Sequence, residues 1–244
     1  VLAFLPEATQ AVVRTWDGEG TDGTCGGAAG DGNKWSCAAN WSGNTLPGAS
    51  DIATFDGTSI KNATIDANIS VGGINMATGY TGTITQNTGV TITVCSSGWT
   101  LAAGTFLGSA AAITINDLGF DQTGGAFTST SGTFSIGRNF SSTAGTFTAN
   151  GGTVAFIDSG SADDSTVTCG ATTFNLVTIT KDQGGDLIIS SGCTVPLGAA
   201  PTSEFNGGTF TNGGTITVAS GVWTIADLCS PCTAPLTNSG TITH

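Results

Sequence analysis

Along most of this chain apolar and polar residues alternate strictly, in short runs cut off by glycine. The runs include Ala63-Thr64-Ile65-Asp66, Thr91-Ile92-Thr93-Val94, Ile113-Thr114-Ile115, Thr153-Val154-Ala155-Phe156, Leu176-Val177-Thr178-Ile179-Thr180 and Leu187-Ile188-Ile189. A period of two over four to six residues, rich in Val, Ile, Thr and Phe, predicts half-buried β-strands. Val, Ile, Leu and Phe are expected to point inward and Thr and Ser outward. No stretch carries a convincing helical period.

A short phrase returns through the last three-quarters of the sequence. It reads Gly82-Thr83-Ile84-Thr85, Gly104-Thr105-Phe106, Gly132-Thr133-Phe134, Gly145-Thr146-Phe147-Thr148, Gly208-Thr209-Phe210-Thr211 and Gly214-Thr215-Ile216-Thr217, and its last copy ends at Thr243. Several copies lie about 20 residues apart, as from Gly104 to Gly125 to Gly145. That interval suits one coil of a β-solenoid, whose strands stack on those of the coil below. The expectation is an all-β, single-chain solenoid of the right-handed parallel β-helix type. Residues 58–244 would supply about eight or nine coils of ~20 residues. Residues 14–57, rich in Gly, Asp and Asn and carrying Trp16, Trp35, Trp41 and Phe55, would form an entry cap.

Residues 1–13 are the most apolar segment, too short and too interrupted by Pro6 and Glu7 to span a bilayer as a helix. They read as the tail of a signal peptide, with Thr9-Gln10-Ala11 as the cleavage site, or as an apolar arm. The arm in turn either covers the bottom of its own solenoid or adds a strand to a second copy. In the latter case Val1, Leu2, Phe4, Leu5 and Val13 would be the assembly residues, worth about 1.5–3 kcal/mol each when buried.

Charge narrows the range of partners. Only 9% of residues are charged, net charge is −12, and Arg14, Lys34, Lys61, Arg138 and Lys181 are scattered. With no basic patch to neutralise phosphates, nucleic acid and anionic membrane surfaces are excluded as expected partners. The shortage of lysine also leaves the edge strands of a solenoid short of protecting charge.

Seven cysteines with a single histidine point to disulfides in an oxidising, extracellular setting. Cys25 and Cys37 flank a Gly-rich loop and make one bridge. Cys169 and Cys193 are close to one coil apart, and stacked positions ~4.8 Å apart lie within disulfide reach. Cys229 and Cys232 would close a very tight third bridge. Cys95 is left free or paired between subunits. Zinc is not expected at Cys229-Ser-Pro-Cys232, because no second Cys or His pair completes four ligands. Asn40, Asn62, Asn68 and Asn139 begin Asn-x-Ser/Thr sequons and are candidate glycosylation sites.

The run Trp35…Asn40-Trp41-Ser42-Gly43…Pro47…Asp51-x-Ala53-x-Phe55, preceded by Trp16-Asp17-Gly18, resembles the opening of secreted autotransporter-passenger-like β-strand-repeat proteins of bacterial surfaces. The match covers roughly residues 16–100, and the remainder only in repeat style. The resemblance implies an exported, non-catalytic surface solenoid. The chain departs from that group in its shortness, its cysteines and the lack of a recognisable translocator barrel.

Site candidates are few. Asp17, Glu19 and Asp22, with Asp31 nearby, offer oxygen ligands for Ca²⁺, but without the full acidic spacing or a closing bidentate Glu, so an acidic turn is the favoured reading. Asp163-Asp164, Asp182/Asp186 and Asp117/Asp121 are carboxylate pairs of the kind glycosidases use, yet they fall where turns are expected. Lys181 beside Asp182 and Asp186 is the one lyase-like grouping and reads as a turn, and His244 is terminal. No enzyme activity and no cofactor are expected. Thr-x-Thr pairs (83/85, 91/93, 146/148, 178/180, 209/211, 215/217, 241/243) resemble ice-binding ranks, but their unequal intervals argue against a flat array. Trp16, Trp35 and Trp41 suit either packing in the cap or a sugar-stacking platform, with packing favoured. The function expected is that of an extracellular structural subunit, assembling head to tail with copies of itself. The alternative is an adhesin module bound to surface glycans.

Overall fold

A computed structural model describes residues 10–158, 163–182, 184–199, 201–206, 208–227 and 236–243. The chain is a parallel β-solenoid of about eight turns. Every named strand pairing is parallel, which in one chain requires each strand to return to the same face a full coil later.

Three inward ladders define the core. One runs Ala53, Ile74, Trp99, Phe120, Phe140, Val167, Ile189, Asn212, Asn238. The second runs Ala63, Ile84, Phe106, Phe127, Phe147. The third runs Ile69, Ile92, Ile113, Phe134, Val154, Val177, Leu197, Val218. Nearly all of these side chains are buried. Phenylalanines stack where successive rungs carry them: Phe106 on Phe127 at 4.9 Å, Phe127 on Phe147 at 5.6 Å and Phe120 on Phe140 at 5.5 Å. Such pairs add to the area they bury.

The rungs are not of constant length. Along the first ladder the step is 20 residues from Phe120 to Phe140 and 27 from Phe140 to Val167. Turns absorb the difference. Gly119 shows how tight they are: its φ is 84°, and a Cβ there would overlap the Asn139 carbonyl of the next rung.

The solenoid starts earlier than residue 58. Ile52–Phe55 already belongs to the first ladder, and Val13–Thr15 pairs beneath it. Between these strands residues 16–51 form short turns, including a single-turn helix at Asp22–Cys25. Lys34 bridges to Thr64, and the Trp35 N–H donates to the Thr64 carbonyl, so this stretch lies under the second ladder.

Two of the expected disulfides are present. Cys25–Cys37 and Cys169–Cys193 each have a Cα–Cα distance of 5.1 Å. The second joins adjacent rungs. Cys95 is a half-buried free thiol beside the Ser70 hydroxyl. Cys229, Cys232, His244 and the arm residues Val1, Leu2, Phe4 and Leu5 lie outside the described residues.

Candidate functional sites

The tryptophans are packing residues. Trp16, Trp35 and Trp41 are buried around Phe55, with ring centroids 4.6–5.8 Å apart. The Trp16 indole N–H donates to the Lys61 carbonyl and the Trp41 N–H to the Trp35 carbonyl. They form no platform for a sugar.

The calcium candidates do not converge. Asp17 accepts from the Glu19 N–H, Asp22 accepts from the Gly32 N–H, and Glu19 is exposed. The centre of this loop is filled instead by Lys61, whose Nζ donates to the carbonyls of Gly18 (3.1 Å), Gly20 (2.6 Å) and Gly32 (3.1 Å). A tethered ammonium thus stands where a cation would gather those carbonyls. Among the described residues no three acidic, His or Cys side chains are placed to hold a metal ion. Nearby, Lys34 beside Asp31 holds that carboxyl below its ordinary range, helped by the Ala28 N–H.

Lys181 is not on a turn. It ends the strand Leu176–Lys181, whose alternation sends Val177, Ile179 and Lys181 inward, and it is fully buried. Its Nζ lies within hydrogen-bond reach of Asp158 Oδ1 (3.0 Å), Ser165 Oγ (2.7 Å) and the carbonyls of Gly137 (3.3 Å), Ile157 (2.9 Å) and Asp163 (2.7 Å). Burial pushes this ammonium below the ordinary lysine range, and Asp158 opposes the shift. Asp163, also expected on a turn, is buried and pairs with Arg138 at 2.6 Å. Lys181 and Asp163 are thus enclosed in the fold, while Asp182 and Asp186 beside them are half-buried.

Asn40 is not a glycan acceptor in the folded chain. It is buried, with Oδ1 accepting from the Gly20 N–H and Nδ2 donating to the Lys34 carbonyl. Asn62, Asn68 and Asn139 are exposed, and each accepts a backbone N–H from the next rung, those of Thr83, Thr91 and Thr166.

The threonine intervals are unequal in sequence but not in space. One outward column stacks Thr83, Thr105, Ala126 and Thr146. Its neighbour stacks Thr64, Thr85, Leu107, Thr128, Thr148 and Thr173. Register is kept because turns, and in places irregularities within a strand such as Ile92–Leu101, take up the extra residues. Leu107 and Ala126 interrupt the columns.

The remaining feature is at the ends. Val12 and Val13 are 42% and 54% exposed under the first rung, and Leu236 and Ile242 are 47% and 39% exposed on the last described one. Val13, expected in a donated arm, pairs with Ile52 of its own chain. Among the described residues no helix is long and apolar enough to cross a membrane. Comparison with family models, with curated proteins and with solved structures returned no match.

Proposed function

We propose that this protein is an extracellular structural solenoid whose end rungs stack on those of other copies, building a filament or surface layer. The observation that carries the reading is the exposure of Val12 and Val13 at the first described rung and of Leu236 and Ile242 at the last described one. Residues 236–243 contain no charged side chain, so that edge lacks the charges that usually prevent strand addition. Contact between two different ends is heterologous, and it propagates unless it closes into a ring. Two disulfides agree with an oxidising compartment.

Electron microscopy and sedimentation of the intact chain, of Leu236→Asp/Ile242→Asp and of protein lacking residues 1–13 test the proposal. Filaments are expected from the intact chain and monomers from the double variant. Loss of filaments on removing 1–13 assigns the joint to the arm as well as the rung. An intact chain that stays monomeric at high concentration, or a double variant that polymerises unchanged, overturns it.

A further inference from the structure

One outward face of the stack repeats without charge. On the second ladder, Ala63–Ile65, Thr83–Gln86, Thr105–Leu107 and the ends of Phe120–Thr128 and Phe140–Thr148 lie in parallel register. Outside them, Thr83, Thr105, Ala126 and Thr146 form one column, and Thr64, Thr85, Leu107, Thr128, Thr148 and Thr173 the other. Eight of these ten places are threonine, and none of the ten is charged. Stacked strands set neighbours in a column ~4.8 Å apart, and alternate residues along a strand lie ~6.7 Å apart. The face is thus a two-dimensional grid.

The core beneath keeps the grid flat. Phe106, Phe127 and Phe147 are buried between the two columns, and their ring planes lie 20° and 13° apart from one rung to the next. Sheets ordinarily twist from strand to strand, and ladders of stacked side chains are what hold flat ones flat. One edge carries no side chain. The Thr105 N–H donates to the Gly82 carbonyl and the Ala126 N–H to the Gly104 carbonyl, so the glycines that open each Gly-Thr phrase stand one per rung. At Gly125 and Gly145 a Cβ would overlap carbonyls of the rung below.

The hydroxyls of the grid are open to water. Among the described residues, those of Thr83, Thr85, Thr105, Thr128, Thr146 and Thr148 have no hydrogen-bond partner in the protein. Threonine is β-branched, which restricts χ1 and so the places its hydroxyl can take. The other faces differ. On the first ladder, Asp121 puts a charge between Thr100 and Ser141, and Thr100 already donates to Asn75. On the third, the outward columns pass into Ala155 and Leu176.

A charge orients water around itself and spoils any lattice. A flat, neutral grid of hydroxyls and methyls instead orders the water above it in rows of the grid's own spacing. Both spacings are close to oxygen repeats on the faces of hexagonal ice. We propose that this face binds ice, its eight threonines anchoring an ordered water layer that merges with the crystal. Leu107 and Ala126 continue the apolar part of the grid. The face lies on the side of the stack, so binding does not depend on end-to-end assembly.

The test measures thermal hysteresis, and partition of fluorescently labelled protein into a growing ice hemisphere, for the intact chain and three variants. Thr128→Tyr stands in the middle of the grid, and Thr148→Tyr, at an exposed position, serves if Thr128→Tyr does not fold. Thr133→Tyr, exposed on the third-ladder face, is the control. The intact protein and the control are expected to enter ice and to hold freezing below melting, and the grid variants to lose this activity several-fold with unchanged circular dichroism. Pelleting with crystalline cellulose and chitin runs alongside. No hysteresis and no partition by the intact chain, equal activity in the folded grid variants, or retention on the polysaccharides without entry into ice would overturn the proposal.

Discussion

At the scale of single residues, two lysines act as internal cations. Lys61 gathers three loop carbonyls and Lys181 gathers three carbonyls, a hydroxyl and a carboxylate. An ammonium has three protons, so the five oxygens around Lys181 share them. Removing one partner of a buried ion pair costs far more than the pair contributes, because the other charge stays behind. Lys181→Met keeps the length and apolar stem but strips the ammonium from Asp158 and from the Gly137, Ile157 and Asp163 carbonyls. It should lower unfolding free energy by about 3–5 kcal/mol, read from the urea midpoint at unchanged slope. A loss below ~1 kcal/mol would mean that the cluster is solvated and behaves as a surface pair.

At the scale of elements, the strands were legible and the corners were not. Period-two alternation finds the inward faces because one side of every strand meets the core. Carried one step further, it also finds Lys181, two residues beyond Ile179 and four beyond Val177. The same position, the last inward one of a short ladder contact, holds Gln86 after Ile84, Gln122 after Phe120 and Asn212 after Phe210. Their amides donate to backbone carbonyls: Val90, Thr146 and Gly214 respectively. Reading Lys181 as a turn residue followed its charge and ignored its phase. What alternation could not show is which turn lengths preserve register, since a 20-residue and a 27-residue coil return to the same ladder. The threonine columns stayed hidden for that reason. The cysteine spacing did carry over, because stacked rungs bring Cys169 and Cys193 within bridging distance. Closing a loop of about 24 residues should stabilise by a little over 3 kcal/mol. Replacing both cysteines by serine should therefore cost about that much. The Cys25/Cys37 pair, with half the separation, should cost roughly 0.6 kcal/mol less. Calorimetry of the two double variants checks the order, and a reversed order would show that the turns already hold these loops without the bridges.

At the scale of the whole molecule, the strand pairings among the described residues run between neighbouring coils, so stability is approximately a sum of rungs and their interfaces. A copy stacked on an end would then act as one more interface of the same kind, and its apolar part is the burial of Val12, Val13, Leu236 and Ile242. Opposing it is a net charge of −12 on every copy, which repels at long range even where the touching surfaces are neutral. That repulsion is screened by salt, over a Debye length of ~30 Å at 0.01 M and ~8 Å at 0.15 M, whereas apolar burial is not weakened by it. Assembly should therefore be slow and partial at low ionic strength and strengthen as salt rises. It should also strengthen as pH falls toward the isoelectric value of about 4.1, where the copies lose their mutual repulsion. Light scattering during a salt titration at neutral pH, with Leu236→Asp/Ile242→Asp as the control, measures this directly. Polymers that dissolve as salt is added would place complementary charges at the joint, and the apolar end-rung account would fail.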